Sequence, residues 1–323
     1  MTASAQRRQS ASTADIAGEA PRAALRGVGQ VFFQENSLSG ALFLAGIAVS
    51  SPVMAIGAIC GSIIGLATAY ALKFDRAETL AGIYGFNATL VGIATLFFFQ
   101  PGPMSIGLLV VGAIVATIAT KLVRAHVPFP TYTSPFIVVT WGIFFLGPML
   151  GAAGVESSGE TTVRESIALL KTEAVAHGVS QVMFQASLWT GLLFLAGIGV
   201  SEWRHAVLVL LGSVVGMLAA SYHATASSGA IHIERLLELT HGANIALGLY
   251  GYNATLVAVA LFLWRRSLMP ILLGTILSVP LTELVPLLGL PALTAPFVLA
   301  TWLVMLIDWM NTKFLAVRGG ATG

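Results

Sequence analysis

The chain has 323 residues, 56% apolar and only 9% charged, with a mean hydropathy of +0.87. A soluble globular chain carries about 25% charged residues, so an ordinary soluble domain is excluded. Sixteen Lys and Arg against fourteen Asp and Glu give a formal net charge of +2, which excludes a basic nucleic-acid-binding surface.

Residues 1–27 are rich in Ser, Ala and Arg. They lack the apolar core and cleavage site of a signal peptide and read as a mobile cytoplasmic tail. Hydropathy and breaker residues then mark ten membrane spans. Five lie near 31–50, 53–72, 79–99, 104–120 and 135–151, in a first unit covering 28–151. The single Cys60 falls in an apolar run here and reads as a small core residue. An extracytoplasmic linker, 152–179, leads to five more spans near 181–200, 205–221, 247–264, 269–288 and 296–315, in a second unit covering 180–318. Within it, 223–246 is an outer insert whose IERLLELTHG stretch predicts a short amphipathic helix ended by Gly242.

The two units repeat one another. QVFFQENSLSGALFLAGI at 30–47 returns as QVMFQASLWTGLLFLAGI at 181–198, and GIYGFNATLVG at 82–92 returns as GLYGYNATLV at 248–257. PTYTSPFIVVTW at 130–141 returns as PALTAPFVLATW at 291–302. An odd number of spans per copy makes the second copy start on the opposite side of the membrane. With the tail inside, only Arg164, Lys171 and Arg235 of the 16 Lys and Arg face outward, as the positive-inside rule requires. Both termini are then cytoplasmic. Inverted repeats of this kind place a substrate site near the bilayer midplane, between the halves.

What the spans lack narrows the chemistry. Asp and Glu fall in tails, loops or span ends except Asp308, which sits well within a predicted span. A charge at mid-bilayer costs about 2.5–3.5 kcal/mol, and an ion-coupled carrier needs such groups placed centrally. A cap or an interhelix hydrogen bond is the plainer role for Asp308. No histidine occupies a span centre; those at 223, 232 and 241 fit no metal motif, and no cofactor is implied. No nucleophile–base set is evident, so an enzyme is disfavoured. A pore through apolar spans remains, with hydroxyls, amides and aromatics as its chemistry. It suits a small, neutral, polar solute.

The doubled motifs supply that chemistry. Pro128, Pro130 and Pro135 cannot continue one helix, nor can Pro291 and Pro296. Broken backbone at membrane depth is tolerated where it is buried in protein or lines a wet cavity. Thr133 and Thr294 therefore lie at paired helix breaks. They either cap the helices that begin at the prolines or line the pore, and the doubling favours the pore. Gln30 and Gln181 open paired spans, one toward each mouth or at headgroup level, with Val31, Phe33, Val182 and Phe184 as flat apolar surface close by. Phe86 with Leu90, and Tyr252 with Leu256, share helix faces at a spacing that also occurs in ordinary packing. Asn87 and Asn253 need hydrogen-bond partners in hydrocarbon and tie helices or satisfy the breaks.

The set Q-V-x-F, G-(F/Y)-N-A-T-L-V and (L/F)-P-x-x-T-x-P-F, each present twice, resembles the urea transporter family over about residues 28–315. The resemblance implies an all-α integral membrane protein: ten transmembrane helices in two inverted five-helix repeats, with re-entrant half-helices lining a central pore. It implies passive, channel-like urea flow, a homotrimer with one pore per subunit, and a bacterial inner-membrane, multi-pass location among lipid. It matches the pore threonines to Thr133 and Thr294 and the mouth glutamines to Gln30 and Gln181. Filter walls match Phe33, Phe86 and Leu90 in one copy and Phe184, Tyr252 and Leu256 in the other. The rivals are a passive channel for ammonia, water or a short amide, an ion-coupled amide carrier using Asp308, and a membrane receptor that transports nothing.

Overall fold

The computed structural model describes the backbone of residues 13–155, 167–227 and 247–319. Among these, regular structure is helical apart from one isolated bridge, Phe99 with Gly154. The first half holds α1 (Thr13–Gly29), α2 (Ser37–Ser50), α3 (Pro52–Ala71), α4 (Arg76–Leu80), α5 (Phe86–Phe98), α6 (Pro103–His126) and α7 (Ser134–Met149). The second holds α8 (Ile167–Ser180), α9 (Leu188–Ser201), α10 (Trp203–Ser227), α11 (Gly251–Trp264), α12 (Leu268–Leu284) and α13 (Ala295–Gly319).

Five helical segments are long and apolar enough to cross a membrane: Pro52–Ala71, Pro103–His126, Trp203–Tyr222, Leu268–Leu288 and Ala295–Thr312. A pair bent by 72°, Glu173–Met183 with Leu188–Ser201, makes a sixth if counted as one span. Ser37–Ser50, Phe86–Phe98, Ser134–Met149 and Gly251–Trp264 are apolar but shorter. Several expected spans are thus shorter helices flanked by turns, because hydropathy does not register a break in backbone conformation.

The clearest break follows α1. The helix tightens into a 3-10 turn at Gln30–Phe32, and Phe33 adopts a left-handed φ of 60°. Phe33 N donates to Gln30 O and Gln34 N to Gly29 O, the paired bonds of a Schellman helix end. Asn36 then caps α2 through Leu38 N. The second copy repeats this: Phe184 has φ 61°, Gln185 N donates to Ser180 O, and Ser187 caps α9. Glycine normally takes such a position; a left-handed conformation costs other residues about 1–2 kcal/mol.

Two expectations need correction. The stretch to residue 27 is not all tail, since α1 begins at Thr13 and buries Ala23, Ala24 and Val28. Nor is 152–179 all linker, since α8 occupies Ile167–Ser180 and buries Ala174 and Val179. These helices pack through small residues, and α1 has little net apolarity, so hydropathy passes over them. A methyl on Gly40, for example, would overlap the Leu25 carbonyl. The insert 223–246 keeps α10 running to Ser227; its expected amphipathic helix lies outside the described residues.

The halves meet through reciprocal contacts. Ser39 Oγ donates to Gly197 O at 2.6 Å, and Thr190 Oγ1 to Gly46 O at 2.8 Å. Phe43 and Phe194 pack ring on ring with centroids 5.3 Å apart. Trp141 Nε1 donates to Pro291 O and Trp302 Nε1 to Pro130 O, both at 2.9 Å.

Candidate functional site

The site forms where the starts of α7 and α13 converge. Proline removes one first-turn N–H from each helix, and the others need acceptors. In α7, Ser134 N bonds Thr131 O, Ile137 N bonds Thr133 O, and Phe136 N bonds Asn87 Oδ1 at 3.2 Å. In α13, Ala295 N bonds Ala292 O, Val298 N bonds Thr294 O, and Phe297 N bonds Asn253 Oδ1 at 3.1 Å. Both asparagines also donate backwards, Asn87 Nδ2 to Thr120 Oγ1 and Tyr132 O, and Asn253 Nδ2 to Thr282 Oγ1. Each therefore ties helices together and caps a break.

The threonines are thus released from capping. Thr133 occupies the N-cap position without a side-chain cap bond. Its hydroxyl instead meets that of Thr294 at 2.7 Å, with both residues buried. The carbonyls freed by the prolines already accept protein donors. Pro130 and Pro291 serve tryptophans, Thr131 and Ala292 serve first-turn amides, Tyr132 serves Asn87, and Leu293 serves Tyr252 Oη at 2.6 Å. Hydroxyls, more than carbonyls, are the polar edge left at the waist.

On the second-copy side a cavity of about 490 Å³ runs up to Thr294. Gln181, Val182, Phe184 and Tyr252 line it. Phe97, Phe98, Tyr250, Thr282, Glu283 and Leu293 join them without having been singled out. Tyr250 and Leu293 lie inside the doubled blocks, whereas Phe97, Phe98, Thr282 and Glu283 lie outside them and carried no signal. Leu256 is fully buried and does not border the cavity.

The first-copy side is lined by aromatic rings. Tyr132 stands where the second copy has Leu293, and both have left-handed φ, 45° and 47°. The Tyr132 ring packs edge-on against Phe33 at 6.0 Å and Phe297 at 5.1 Å. Phe86 is half-buried, while Val31 and Leu90 are buried. Gln30 Nε2 donates to Ala81 O at 2.9 Å, so this amide is satisfied by protein. The structure therefore brings Gln181, Val182, Phe184, Tyr252 and Thr294 together around the cavity, with Thr133 joined to them through Thr294, and gathers Phe33 and Tyr132 on the other side.

Carboxylates flank the threonine pair, Glu283 among them in the cavity lining. Glu78 accepts from Tyr84 Oη at 2.5 Å and pairs with Arg124 at 2.6 Å; the hydroxyl, then the guanidinium, hold its carboxyl below the usual range. Tyr250 Oη donates to Glu283 at 3.1 Å. Asp308 pairs with Arg265 across α11 and α13, away from the cavity.

A family model described as Urea transporter matches residues 22–309, starting within α1. Urea transporter 1 of Capra hircus is 29% identical over 311 residues, covering 89% of this chain and 77% of that relative. Urea transporter 1 of Rattus norvegicus shows the same identity and coverage. With its long apolar helices, this is a multi-pass membrane protein, and the chain belongs to the urea transporter family.

Proposed function

We propose that the chain conducts urea passively through a slot between its two halves, with the Thr133–Thr294 pair at the waist. The observation that carries this is the mutual hydrogen bond of two buried hydroxyls where two helix starts meet at the end of a cavity. Urea is flat and neutral and can exchange hydrogen bonds with both hydroxyls. Breaking one protein hydrogen bond while forming another costs little, since the net worth of each is about 0.5–1.5 kcal/mol. Phe184 and Tyr252 offer flat surface to hold the plane upright. An ion meets no charged group at the waist to replace its hydration.

The halves lie as an inverted repeat, a reading supported by their reciprocal contacts and the inward bias of Lys and Arg. The family resemblance further supports a homotrimer, and the inward bias of Lys and Arg supports cytoplasmic termini. The function is transport, with no enzyme chemistry. Stopped-flow urea efflux from proteoliposomes tests the proposal. Thr133→Val or Thr294→Val slows efflux several-fold, and efflux is indifferent to a pH gradient or voltage. Unchanged efflux in both well-folded variants overturns the role of the pair; dependence on either gradient overturns the passive mechanism.

A further inference from the structure

Among the described residues, three buried side-chain polar atoms have no hydrogen-bond partner: Tyr70 Oη, Thr140 Oγ1 and Thr131 Oγ1. Buried polar groups are paired as a rule, so each orphan needs a reason. The repeat supplies one for Thr140. Its counterpart Thr301 bonds back to Phe297 O at 2.8 Å, and a turn of χ1 would give Thr140 the same bond to Phe136 O. Tyr70 is half-buried near the end of α3, where the charges of Arg76 and Glu19 act on it.

Thr131 differs. It is 4% exposed, and its carbonyl already serves both Ser134 N and Ser134 Oγ. It lies two residues before Thr133, across the left-handed turn at Tyr132. Its counterpart is Ala292, which lines the cavity on the other side of the waist. The repeat relation therefore places Thr131 in the matching wall of the opposite half. The counterpart has no hydroxyl, so the second copy offers no structural bond that Thr131 has merely lost.

We propose that Thr131 is a third solute-binding hydroxyl of the slot, present in one half only, and a determinant of selectivity. The proposal rests on the reading of Thr133 and Thr294 as the waist of a urea pathway. The hydroxyls of those two residues occupy each other, at 2.7 Å. That of Thr131 keeps both its donor and its acceptor capacity for a passing molecule. A solute on the first-copy side binds Thr131 first without breaking a protein bond, and then parts the Thr133–Thr294 pair. A molecule with an amino group at each end holds Thr131 and the waist together. Urea offers a donor at each end, whereas formamide, with one amino group, must meet one of the two hydroxyls through its carbonyl.

The experiment is efflux from proteoliposomes of the full chain carrying Thr131→Val, Thr131→Ala or Thr131→Ser, beside Thr133→Val. Losing one hydrogen bond to the solute slows urea efflux about 2- to 10-fold in Thr131→Val and Thr131→Ala. The urea-to-formamide flux ratio falls with it, and Thr131→Ser, which keeps the hydroxyl, restores both. Melting temperature holds or rises, because an unpaired buried hydroxyl has been removed. Full urea efflux in Thr131→Val with slowed efflux in Thr133→Val overturns the role of Thr131 and leaves the waist standing. Full efflux in both overturns the waist as well. A lower melting temperature in both Thr131→Val and Thr131→Ala shows a structural partner for the hydroxyl and overturns the proposal.

Discussion

At the scale of single residues, groups that hold the helix breaks are distinct from the hydroxyls proposed to meet the solute. Asn87 holds: it accepts from Phe136 N and donates to Thr120 and Tyr132 O. Asn87→Ala leaves those buried groups unpaired, at a cost of about 1–3 kcal/mol for each one orphaned. It lowers the melting temperature in detergent and reduces efflux together. Thr133→Val orphans only the Thr294 hydroxyl, so efflux falls while melting drops less than in Asn87→Ala. If Asn87→Ala melts like wild type, the break is held by something else. The threonines and asparagines were legible because duplication marks them twice. Tyr132 and Leu293 were not, because residues of these types give no sign of a positive φ. Nor was Thr120 paired with Thr282, since the α6 and α12 sequences have diverged beyond visible repetition.

Among elements, close approach of helices rests on glycine. A methyl on Gly92 of α5 would overlap the Gly57 carbonyl of α3, and one on Gly57 would strike the Gly92 carbonyl. Backbone cannot yield as a flexible side chain can, so overpacking here costs about 1–3 kcal/mol or more. Gly92→Ala therefore lowers both the yield of folded protein and its melting temperature. Gly107→Ala, in α6 with nothing within 4 Å, is neutral or stabilising, because alanine favours helix by about 0.5–1 kcal/mol. Equal melting of the two variants contradicts the close α3–α5 contact. Hydropathy revealed α3, α6, α10, α12 and α13, whose outward faces are greasy. It overlooked α1 and α8, which are tied to their neighbours in part by hydrogen bonds such as Ser62 Oγ to Ala24 O and Ser213 Oγ to Val175 O.

For the whole molecule, the question is whether the near-symmetric slot runs downhill or is driven. Beside the threonine pair the two copies diverge where one has Tyr132 and Thr131 and the other Leu293 and Ala292. That divergence concerns shape and hydroxyls and adds no charge to the waist. The acidic residue that suggested coupling from sequence is Asp308. It pairs with Arg265, with 28% and 58% of the two side chains exposed. Ion pairs this open to solvent contribute about 0–1 kcal/mol to stability, and this one does not border the cavity. Asp308→Asn should thus leave urea efflux at the wild-type rate, measured at zero membrane potential and again under an imposed one. A driven carrier would lose accumulation of urea against its gradient in this variant. Wild-type protein that builds such a gradient, and Asp308→Asn protein that does not, would place coupling at α13 and set the pathway outside the Thr133–Thr294 waist.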